Sequence, residues 1–164
     1  MAGSGLPAVT RVVTGHDAAG QAVFAREDTA PTRLIASGDA AFLTIWATQA
    51  VPADCNDPRD GRDLPVGLTL PGGSVIRVVD MLPGGQSPLH RSSSIDYGIV
   101  ISGEVELELE SGECRTIGAS GIVVQRGTNH LWRNRGHEPC RIVFVLIEAE
   151  PWHHNGVPLP DIHP

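Results

Sequence analysis

An all-β fold, a small sandwich or barrel, is what this sequence predicts, and three observations carry it. No long segment repeats its apolar side chains at the helical period. Residues 103–110, GEVELELE, instead place Val105, Leu107 and Leu109 alternately with Glu104, Glu106, Glu108 and Glu110, which is the period of a strand with one face inward. Glycine and proline make up 19 and 13 of the 164 residues, a surplus that cuts a chain into short strands joined by turns.

The elements follow in order. Residues 9–14 and 21–27 flank GHDAAG (15–20) and read as a hairpin. AFLTIWAT (41–48) is an apolar run of strand length, whereas 51–73 is rich in Pro, Asp and Gly and reads mostly as a loop over the surface. SVIRVVDML (74–82) is β-branched and stops at PGG. IDYGIVIS (95–102) and 103–110 come next, then a turn at SGE (111–113) and a return strand from CRTIG. GIVVQR (121–126), HLWRN (130–134), a turn at RGHEP (135–139) and CRIVFVLIEA (140–149) complete the series. The length suits one domain: a core over 74–148, N-terminal strands and loop over 1–73, and a tail over 149–164.

Composition removes several chemistries. All 12 basic residues are arginine, so a lysine Schiff base, covalently held pyridoxal phosphate and a P-loop lysine are excluded. A net charge of −7 argues against a nonspecific grip on nucleic acid or anionic lipid and favours a small-molecule partner. The three cysteines are far apart with no C-x-x-C pair, which predicts neither a disulfide framework nor a cysteine zinc site. Without a secretory leader pattern or a membrane-length apolar run, a soluble cytoplasmic protein is expected.

Two spaced motifs carry the chemistry. The first runs Gly84, five residues, His90, one residue, Ser92, three residues, Asp96, six residues, Gly103. The second runs Gln125, one residue, Gly127, two residues, His130, three residues, Asn134. Together they resemble the paired motifs of the cupin family, in which Gly-x5-His-x-His, a glutamate and a glycine are followed by Pro-x-Gly, a histidine and an asparagine. Here Ser92 stands for the second histidine, Asp96 for the glutamate, Gln125 for the proline and Ala119 for an upstream glycine.

The resemblance implies a double-stranded β-helix, a jelly-roll-like barrel, whose outer sheet takes in the N-terminal strands and which pairs as a homodimer. It also implies a divalent metal, iron, manganese, zinc or nickel, held by His90, Asp96 and His130, and no organic cofactor. Two imidazoles and one carboxylate form a facial set that suits such ions and leaves positions open. Asp is one methylene shorter than Glu, a deficit of about 1.5 Å, and metal bonds tolerate only about 0.2 Å of misfit. The same residues therefore also read as a metal-free acid–base set, His90 or His130 as base and Asp96 orienting it.

Further pocket candidates follow from strand alternation. Ser92 shares a face with His90; Trp132 and Asn134 share one with His130. Gln125 offers an amide to substrate or supports a turn. Arg77 lies in an apolar strand whose alternation does not settle its face: inside, it would hold a substrate carboxylate, but an outward arginine is the simpler reading. Tyr97, beside Asp96, faces the other way and is expected to pack between sheets. The four glutamates of 103–110 read as a solvated face. His153, His154 and His163 fall in the tail, and Cys114 and Cys140 lack a neighbouring base that would make them nucleophiles. The expected activity is that of a lyase, isomerase, cyclase or oxygenase on a small organic molecule. The alternatives are a metal-free dehydratase or epimerase, or a binding module without chemistry.

Overall fold

The computed structural model describes residues 4–163 and is built from strands, with one short 3-10 turn at Gly61–Asp63. The strands are β1 (Val9–His16), β2 (Ala22–Ala30), β3 (Arg33–Leu34), β4 (Ala40–Thr48), β5 (Ser74–Met81), β6 (Ser94–Ser102) and β7 (Glu104–Leu109). They continue as β8 (Cys114–Gly118), β9 (Ile122–Arg126), β10 (His130–Arg133), β11 (Cys140–Glu148), β12 (His153–His154) and β13 (Val157–Pro158). A six-stranded antiparallel sheet in the order β3-β4-β5-β11-β6-β9 faces a three-stranded sheet, β10-β7-β8. The expected all-β, double-stranded β-helix architecture is present.

Apolar side chains from both sheets meet between them. Val105, Leu107 and Trp132 come from the small sheet; Met81, Val100, Cys140 and Ile142 come from the large one. The Trp132 and Phe144 rings join the sheets edge to face, with centroids 5.4 Å apart. Gly98 makes that contact fit, because a Cβ there would lie 2.9 Å from the Phe144 ring. At the β6–β7 turn Gly103 has φ +73°, and a Cβ would lie 2.8 Å from the Pro139 carbonyl oxygen. Both features require glycine.

Three expectations need correction. The N-terminal strands divide: β3 and β4 extend the large sheet, while β1 and β2 form a separate hairpin. Arg11, paired with Asp28 inside the hairpin, ties it to the long loop through Asp60. Residues 51–73 do more than cross the surface: Leu64, Val66 and Leu70 pack on Ala47, Val75 and Leu146 and so close one end of the core. Apolar residues spaced by Pro and Gly carried no strand or helix period to reveal this. Tyr97 lies on an outer face and is 39% exposed, not packed between sheets.

β7 alternates as its sequence demands, but its outer face is only half solvated. Arg133 pairs with both Glu106 and Glu108, and Arg135 pairs with Glu106. Each such pair contributes roughly 0–1 kcal/mol at a surface. No helix among the described residues is long and apolar enough to cross a membrane.

Candidate active site

Backbone pairing brings the two motifs together. The first-motif segment runs antiparallel to β10 although it is not a regular strand. Ser87 N–H donates to the Trp132 carbonyl, and His90 and His130 exchange backbone N–H···O=C bonds of 2.9 and 3.0 Å. The result is a pair of imidazoles with ring centroids 4.3 Å apart.

Both imidazoles are oriented by the same local device. His90 Nδ1 lies 2.8 Å from the carbonyl oxygen of Pro88, and His130 Nδ1 lies 2.8 Å from that of Thr128. In the neutral ring Nδ1–H is therefore the donor and Nε2 keeps its lone pair. His130 is 4% exposed. Burial pushes its pKa down to about 4, against the pull of the Thr128 carbonyl and with help from His90. It is neutral at pH 7.

The histidines line a cavity of about 410 Å³ between the sheets, together with Ser92, Asp96, Trp132 and Arg77. Phe42, Val79, Met81, Phe144 and Leu146 give it largely apolar walls. Asp96 is buried and its Oδ1 has no hydrogen-bond partner. Burial raises its pKa, opposed by Ser94, His90 and Arg77.

The three expected metal donors do not converge. Atoms bound to one ion at up to about 2.2 Å are at most about 4.4 Å apart. No oxygen of Asp96 lies with a ring nitrogen of each histidine inside a mutual 4.8 Å. The residues as placed do not fit a three-donor centre. Among the described residues the donors that do cluster so closely are Glu106, Glu108 and Cys114, on the outer face of β7 and β8. There Arg133 and Arg135 already occupy the carboxylates.

The remaining candidates divide. Ser92 and Trp132 line the cavity. Arg77 also turns inward, against the simpler reading: β5 is buried on both faces, so polarity could not orient it. Its Nη2 donates to the carbonyls of Gly67 and Leu68, each at 2.7 Å. Gln125 sits opposite Asp96 in the β6–β9 register, and its Oε1 accepts from Thr128 Oγ1 at 2.6 Å, so it supports the turn before His130 and does not line the cavity. Asn134 keeps the parity of His130 but lies beyond the end of β10. Its Nδ2 donates to the carbonyls of Met81 and Glu138, and its Oδ1 accepts from Gly136 N–H, which makes it a turn staple outside the cavity.

Sequence reasoning missed Ser87 and Leu68 in the cavity wall and the buried Arg91 beside His90. Ser87 lies in the five-residue spacer of the first motif, the one signal available for it. Arg91 is clamped by the tail, exchanging backbone hydrogen bonds with Ile162.

Comparison with known proteins matches this architecture. A family model described as Cupin domain matches residues 77–146. Phomopsin biosynthesis cluster protein C' of Diaporthe leptostromiformis is 46% identical over 150 residues, which cover 86% of this chain and 79% of that one. The cupin-domain-containing oxidoreductase fogC of Aspergillus ruber is 39% identical over 160 residues, covering 93% and 79%. The solved Cnp3 cupin domain of Schizosaccharomyces pombe superposes with a TM-score of 0.52 at 12% identity, covering 87% and 88%, a likeness of fold alone. With both spaced motifs paired at one barrel cavity and relatives matched over most of their length, the chain belongs to the cupin family.

Proposed function

We propose that this protein is an enzyme of secondary metabolism that moves a proton within a small, mostly apolar carbonyl or hydroxycarbonyl compound. The observation that carries this is the imidazole pair: two rings tied at Nδ1 to backbone carbonyls, each with a free Nε2, at the wall of an apolar cavity. Relatives named as biosynthesis-cluster proteins and as a cupin-domain-containing oxidoreductase support the metabolic setting.

His130 is the base. It is neutral at working pH, and an enolate forming beside it strengthens its hold on the proton as the reaction proceeds. The C–H electron pair moves into the enolate while Nε2 takes the proton. With an α-hydroxyketone the enolate oxygen takes a proton from water to give an enediol; return of the Nε2 proton to the former carbonyl carbon, with loss of the other hydroxyl's proton to water, moves the carbonyl by one position. One carbon is oxidised and its neighbour reduced, with no outside oxidant. That balance is an isomerase's.

A second reading places a divalent metal, such as iron, manganese, zinc or nickel, on the two Nε2 atoms. It is favoured by the fixed tautomers, the arrangement that metal-binding histidines share. It requires a third donor to come within reach. Pairing of two copies is supported by Ile101, Ile122 and Val124, exposed on the outer faces of β6 and β9, and a light-scattering mass checks it.

The test is deuterium wash-in from heavy water at the α-carbons of a panel of small ketones and aromatic keto acids, 2-tetralone and 3-benzoylpropionate among them, followed by NMR. Wild-type protein should exceed buffer, and His130→Gln should fall to the buffer rate while keeping its circular dichroism. Wash-in no faster than buffer across the panel refutes proton transfer. Loss of exchange in chelator, with rescue by a divalent ion, selects the metal reading.

A further inference from the structure

Arg77 stands apart from the other buried arginines. Among the described residues these are Arg11, Arg77 and Arg91, at 4%, 8% and 8% exposure. Arg11 is paired with Asp28 and Asp60, and Arg91 has Glu110 at 3.7 Å. No carboxylate among the described residues forms an ion pair with Arg77. Its Nη2 is committed to the carbonyls of Gly67 and Leu68, which are neutral, and its Nε is buried with no partner.

A guanidinium kept out of water without a counter-charge carries a heavy desolvation penalty. Asp96 is not a contact counter-charge: it forms no ion pair with Arg77 and acts on it only at a distance. The loop carbonyls explain why the side chain points inward and how it is held rigid. They do not neutralise it. The charge faces a cavity otherwise walled by Phe42, Met81, Trp132, Phe144 and Leu146, so an anion entering there meets a preorganised cation in low-dielectric surroundings.

We propose that Arg77 is the anchor for a carboxylate, and that the ligands of this cavity are small hydrophobic organic acids whose apolar body lies against the Trp132–Phe144 wall. This deepens the proposed function by naming the substrate class, and so rests on that reading for the chemistry but not for binding. Arg77 touches the acid group and positions the molecule; the imidazole pair reacts with it.

Isothermal titration with 2-naphthoate and its neutral isostere 2-naphthamide tests this at pH 7.5. The carboxylate should bind wild-type protein at least about tenfold tighter than the amide. Arg77→Met should erase that preference, bringing the two affinities within about twofold of each other. Equal affinities in wild type, no detectable naphthoate binding, or a preference that survives in Arg77→Met overturns the assignment. Should Arg77→Met fail to fold, a crystal structure of wild-type protein with 6-bromo-2-naphthoate decides. Its carboxylate against Arg77 supports the proposal, and a carboxylate elsewhere overturns it. The titration reads no turnover, so carboxylate preference without deuterium wash-in would remove the acid–base reading and keep the anchor. Wash-in without carboxylate preference would do the reverse.

Discussion

Lowering the pH from 7 to 5 should cost the fold about 2 kcal/mol through His130 alone. Its pKa in the folded protein lies near 4, below the ordinary 6.5, because the buried ring cannot hold a charge cheaply. The unfolded chain therefore binds the extra proton first, and stability falls as pH drops through the window from 6.5 to about 4. The contribution is fully present above 6.5. Its whole span is about 3 kcal/mol, of which about 2 kcal/mol is lost by pH 5. Asp96 works in the opposite sense, since a raised folded pKa makes the native state gain stability as the carboxyl protonates. The depressed carboxylates, Asp28 and Asp80 among them, lose their contribution only at pH values below the ordinary carboxylate range. The assay is urea unfolding by circular dichroism at both pH values, with chelator present so that only protons compete for the ring nitrogen. With a slope near 2 kcal/mol/M, the wild-type midpoint should move by about 1 M more than that of His130→Gln. Equal shifts in the two proteins, or an NMR titration of His130 with its midpoint near 6.5, would refute the reasoning.

Three other outcomes are expected. Gly103→Ala should lower stability by about 2 kcal/mol, from positive φ and the clash with Pro139, and so lower Tm by about 4–8 °C. Gly118→Ala, where a Cβ meets nothing within 4 Å, is the control that should barely move it. Asp96→Glu restores the missing methylene and should tighten Mn²⁺ or Ni²⁺ binding at least about tenfold by titration calorimetry; unchanged affinity would mean that reach is not what separates the carboxyl from the imidazoles. Ending the chain at Glu150 removes the Arg91–Ile162 hydrogen bonds and should speed hydrogen exchange at residues 90–94 without loss of the β signature, whereas unchanged exchange would show that the tail does not hold the first motif.

Alternation in 103–110, β-branched runs and glycine-rich turns were enough to place the longer strands, though not the two-residue β3, β12 and β13, because period and turn chemistry are local properties of a chain. Motif spacing carried the resemblance to the cupin family, and it was that resemblance which implied that His90 and His130 share one site; the backbone pairing of the two segments shows it. Strand parity placed Asp96 and Trp132 in the same interior. Tertiary structure alone decided the rest. Arg77 turned inward because Gly67 and Leu68, ten and nine residues earlier on an irregular loop, offered it carbonyls. Asn134 left the cavity because β10 ends one residue before it, and His90, Asp96 and His130 do not bring one donor atom each within 4.8 Å of one another. Sequence determines which residues share a face; only packing determines how far apart, how dry and how charged that face becomes.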